Sequence, residues 1–159
     1  KYIVIFVNFI IEIKKELSME KEKYILEFEG EDKIPVNTFS NYLYHFRAIY
    51  SISYDVLPET KRPEENFEQI SDYIDKVKEY IKEQNGYIGR KYFFKKLDED
   101  LIIYEMEKKS PLTITVGGCL VALVVAVIIS GGEVNLSKGK FKLNPLGEGL
   151  KKLKEFKNM

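Results

Sequence analysis

Residues 108–133 read KKSPLTITVGGCLVALVVAVIISGGE, and from Pro111 to Ser130 this run holds no charged residue in a chain that is 31% charged. How the run is read decides the fold. As one helix, Pro111–Ser130 would be about 30 Å long, the thickness of a bilayer's hydrocarbon core. Its eleven Leu, Ile and Val residues would contribute roughly −3 to −6 kcal/mol to insertion. Pro111 suits a first helical turn, Gly131-Gly132 an end, and Lys108, Lys109, Lys138 and Lys140 the two headgroup layers. In a second reading, LTITV completes a strand and only Gly117–Ile129 is helical, a length more typical of a buried core helix than of a span. A third makes two buried strands turning at Gly117-Gly118.

The spacing of small residues favours the first reading. Gly118, Ala122, Ala126 and Ser130 recur every four positions, a stripe along which membrane helices approach closely and self-associate. Residues 110–132 are therefore expected to be a transmembrane helix. Cys119 beside the stripe reads as a small apolar residue.

This run separates two regions of opposite charge. Residues 19–109 hold 15 Lys and Arg against 20 Asp and Glu, a net of −5, and residues 131–159 hold 7 Lys against 3 Glu, a net of +4. A basic tail behind an apolar segment fits an anionic lipid surface. Nucleic acid is not expected, because the body is acidic and no basic stripe alternates with aromatics. One cysteine leaves no intrachain disulfide framework.

In the acidic body, YILEF (24–28) alternates as a half-buried strand. Phe39, Leu43, Phe46 and Tyr50 then follow helical spacing, with Asn37 placed to cap. A second helix runs from Pro63 to Asn85-Gly86 with the stripe Phe67, Ile70, Ile74, Val77 and Ile81. Tyr92–Leu97 and Leu101–Glu107 read as a hairpin turning at Asp98-Glu99-Asp100. The fold class expected is α+β: a small antiparallel sheet with two helices in residues 19–109, the apolar helix, and a tail. In the tail, residues 133–159, Val134 and Leu136 and then Phe141 and Leu143 form a two-stranded ribbon. Pro145 opens a helix with the stripe Leu146, Leu150, Leu153 and Phe156. Lys138, Lys140, Lys142, Lys151 and Lys152 are the candidate membrane-surface contacts.

Residues 1–18 stand apart. The apolar run Tyr2–Ile13 is too short to span a bilayer and carries no signal-peptide cleavage site. Lys14-Lys15-Glu16 back-translates with A-rich codons to a ribosome-binding sequence just ahead of the Met19 codon. Either Met19 is the start and residues 1–18 are upstream read-through, or they are an N-terminal extension.

No catalytic set emerges. His45 is the only histidine, so neither a histidine-based metal site nor a Ser–His triad has the residues it needs. The acids of 98–100 read as a solvated turn, and SKGKF (137–141) lacks the glycine spacing and the Ser/Thr of a phosphate loop. No catalytic residue, metal ligand or cofactor is expected.

The SPL of 110–112, the apolar run, the SGG of 130–132 and FKLNPLGEGLKKL (141–153) resemble a set of small bacterial proteins with an α+β module, an apolar helix and an amphipathic end. The layout of the body is also similar to TRADD-N-like modules of bacterial immunity, some of them membrane-tethered. The resemblance covers Tyr24 to Phe156 and implies a non-enzymatic adaptor or membrane-acting effector. Together these readings give a membrane-tethered interaction module at a bacterial inner membrane, single-pass. It would self-associate through the stripe and bind lipid and a protein partner. The rival is a soluble, cytoplasmic α+β binding protein or homodimer with residues 112–129 as its buried core helix.

Overall fold

The computed structural model of the chain describes residues 3–10, 23–30, 33–56, 70–84, 92, 95–108 and 111–158. Its frame is a five-stranded mixed sheet in the order β2-β3-β1-β5-β4. The strands are β1 (Tyr24–Phe28), β2 (Ile102–Lys108), β3 (Leu112–Gly117), β4 (Glu133–Asn135) and β5 (Lys140–Leu143). The central strand β1 runs antiparallel to β3 and parallel to β5. Helix α1 spans residues 3–10; the others are α2 (Val36–Val56), α3 (Ile70–Glu83), α4 (Leu120–Ile129) and α5 (Leu146–Lys157).

Alternation aims one set of side chains at a single core. Tyr24, Leu26 and Phe28 of β1, Leu112, Ile114 and Val116 of β3, and Phe141 and Leu143 of β5 are all buried on the same face. Helices cover that face. Tyr42 of α2 meets Phe28 edge-on, with ring centroids 5.3 Å apart, and α2 in turn packs against α3, α4 and α5.

The uncharged run is therefore not one helix, which corrects the expectation for residues 110–132. It divides into β3 and the ten-residue α4, and no helix among the described residues is long and apolar enough to cross a membrane. Ala122 through Val127 are all 0% exposed. A helix apolar on every side needs cover on every side, and α2, α3, β4 and α5 all pack against this one. The break between strand and helix is enforced at Gly118. Its φ is +151°, and a Cβ added there would lie 2.6 Å from Tyr50 Oη, so both backbone and space exclude a side chain.

The expected divisions near residues 109 and 132 cut through this sheet, because β1, β3 and β5 come from three different proposed segments and lie side by side. The tail ribbon forms as β4 and β5, joined through a 3₁₀ turn at Leu136–Lys138. The tail helix forms as α5. Of the hairpin expected at Tyr92–Leu97 and Leu101–Glu107, the second strand forms as β2 but pairs with β3, and residues 95–97 of the first are not strand. Phe67 and residues 63–69 of the expected second helix lie outside the described residues. Helix α1 leaves Ile3, Val4, Ile5, Phe6 and Phe9 exposed.

Candidate interaction surface

With helices on one side, the strands turn their other set of side chains outward. The register lays these in two rows across four strands and into the fifth. One row runs Glu105, Thr115, Ile25, Lys140, Asn135; the next runs Glu107, Thr113, Glu27, Lys142, Glu133. The open face is thus acidic along β2 and basic along β5. Where the signs meet inside the sheet they pair: Lys140 Nζ stands 2.9 Å from Glu27 Oε2 across the parallel β1–β5 junction. At the β4–β5 end, Lys138, Lys140 and Lys142 border a groove of about 670 Å³, together with Glu133 and Ser137.

The edge strand β2 differs from every other strand. All seven of its residues are exposed, including Ile102, Ile103, Tyr104 and Met106 at 37–53%. Among the described residues, β2 pairs on one side only, with β3. Its register slips between Ile103 and Glu105, so Tyr104 is the extra residue of a bulge. The Tyr104 ring lies over Gly117, where a Cβ would come within 2.6 Å of it, and Lys23 Nζ sits 4.7 Å from its centroid.

The turn leading into β2 is fixed to α2. Arg47 donates from Nε and Nη2 to both carboxylate oxygens of Asp100, at 3.2 and 3.0 Å, and from Nη2 to the Lys95 carbonyl at 2.7 Å. Tyr50 Oη donates to the Glu99 carbonyl at 2.6 Å and accepts from the Cys119 N–H at 2.7 Å. Of the acids of 98–100, Asp100 is a structural joint, held by a bidentate guanidinium, while Asp98 and Glu99 are exposed. Among the described residues, no group of three or more His, Cys, Asp or Glu is placed to hold a metal ion.

The residues singled out in the sequence go to separate places. Ala122, Ala126 and Ser130 are 0–1% exposed and face the protein's own core, while Gly118 precedes the helix. The stripe packs inside the molecule. Lys140 and Lys142 project from the open face, whereas Lys151 and Lys152 are exposed on α5 in the helical layer. The five lysines therefore do not form one surface. His45 accepts a hydrogen bond at Nδ1 from Lys157 Nζ, at 2.8 Å. Burial, then the Lys157 and Lys154 charges, hold His45 down to about 4. Burial, then Lys154, holds Lys157 down to about 8. Burial also raises the Cys119 thiol, so it is not an activated nucleophile.

The sequence pattern passed over β2 as an interaction edge. The signal was present in Ile102-Ile103-Tyr104, three apolar residues in succession where a half-buried strand would alternate.

No protein-family model, no curated protein and no solved structure matches the chain.

Proposed function

We propose that this chain is a non-catalytic interaction module that takes an extended segment of another polypeptide onto the outer edge of β2. The observation that carries this reading is β2 itself, exposed along its full length, paired on one side among the described residues, and bearing four large apolar side chains. An edge strand offers unpaired N–H and C=O groups as a template for an added strand. The joint of Arg47 and Tyr50 with residues 99–100 holds β2's entry in place, so the edge is pre-formed. The layout's resemblance to TRADD-N-like modules accords with an adaptor role. Tethering through residues 110–132 forms no part of this proposal, since those residues build the core.

Selection from a displayed peptide library, followed by amide hydrogen exchange on the bound chain, tests the reading. Selected peptides should protect the amides of residues 102–108. Protection confined to the β4–β5 groove or to α5 would refute it.

A further inference from the structure

Resting on that reading, we infer that the strand accepted by β2 is basic: an extended polypeptide with Lys or Arg at alternate positions and apolar residues between them. On the open face β2 presents Glu105 and Glu107, two residues apart and in line with Thr115 and Thr113. A strand laid along the outer edge places every second side chain beside these carboxylates. On the other face, Ile103 and Met106 lie beside Val116 and Ile114 and extend the buried layer toward the edge. The intervening side chains of the added strand continue that layer, so they are apolar.

The sheet already contains one junction of this chemistry. The β5 sequence Lys140-Phe141-Lys142-Leu143 sends its lysines to the open face and Phe141 and Leu143 to the core, and Lys140 pairs with Glu27 of the neighbouring strand. A partner with the same alternation would repeat at β2 what β5 does at β1.

A second copy of β2 centred on Glu105 or Met106 does not fit the edge. An antiparallel two-fold pairing centred on Glu105 sets Glu105 against its own copy, and one centred on Met106 sets it against Glu107. Directly opposed like charges destabilise a strand pair. Lys108 gives no relief, because it pairs with Leu112 and shares the core-side face, away from both glutamates.

The experiment uses the full chain and three fluorescent probes of equal length. One alternates Lys and Val, one alternates Glu and Val, and the third is the Lys–Val peptide N-methylated along one edge. The Lys–Val peptide should bind about threefold more tightly than the Glu–Val peptide, as expected from the cross-strand charge pair at Glu105 changing sign. It should protect residues 102–108 from exchange and lose binding when N-methylated. The double reversal Glu105→Lys/Glu107→Lys should invert the preference, a gain for Glu–Val that a merely unfolded variant would not show. Equal affinity for both peptides, with protection at 102–108, would overturn the charge preference and leave edge docking intact. Protection at 102–108 by none of the probes would overturn both.

Discussion

Strands β2 and β3 are hydrogen-bonded neighbours, yet they live in different environments. Met106 sits directly opposite Ile114 on the same face of the sheet; Ile114 is 0% exposed and Met106 53%. The strand pairing is common to both, so it does not account for the difference. Cover does: the apolar side chains of β3, β1 and β5 lie in the core among those of the helices, whereas every residue of β2 is exposed. One strand is consequently a structural member and the other an available surface.

Substitutions can break that contrast, beginning where the effect is greatest. Ile114→Ala should cost about 2–5 kcal/mol through lost burial and an unfilled cavity, read from chemical denaturation. Tyr50→Phe should cost about 1–3 kcal/mol, because the Cys119 N–H and the Glu99 carbonyl lose their shared partner at the joint between β3, α4 and the turn before β2. Thermal melts of the two proteins would show it.

A pH effect comes next. His45 is held below its ordinary 6.5, at about 4, so between those values the unfolded chain binds more protons than the folded one. Stability contributed by His45 is present above 6.5 and is lost as pH falls toward 4. His45→Gln should flatten that part of the acid limb in urea midpoints measured across the range. Met106→Ala should change stability least, within about 0.5 kcal/mol. A loss as large as that at Ile114 would mean that β2 is covered and would remove the contrast.

Much of the fold was legible in the sequence wherever one periodicity spoke without competition. YILEF and KFKL alternate and are strands; the spacing of Phe46 and Tyr50, and that of Leu146, Leu153 and Phe156, is helical and these residues are buried. The uncharged run misled because composition cannot separate a helix wrapped by lipid from one wrapped by protein. Leu120–Ile129 is apolar on all sides in either case, and the four-residue recurrence of small side chains serves close approach to α2 as well as it serves a partner helix. The deciding signal was local: Thr113 and Thr115 alternate with Leu112, Ile114 and Val116, and Gly118 forces a turn before the helix begins. The interaction edge was harder to see. Leu101–Glu107 read as a strand, but its own residues do not say whether the rest of the chain covers it, and all of β2 is exposed.

The central position of β1 also governs how the chain can be made. Residues 24–28 leave the ribosome well before their partners, residues 112–116 on one side and 140–143 on the other. Contacts between such distant segments close late. Until β5 has emerged, Leu26 and Phe28 have no completed sheet to join, and the apolar α4 sequence lacks α5 to cover it. A growing chain arrested before residue 140 should therefore lack the native core, which should form only once residues 140–157 have emerged.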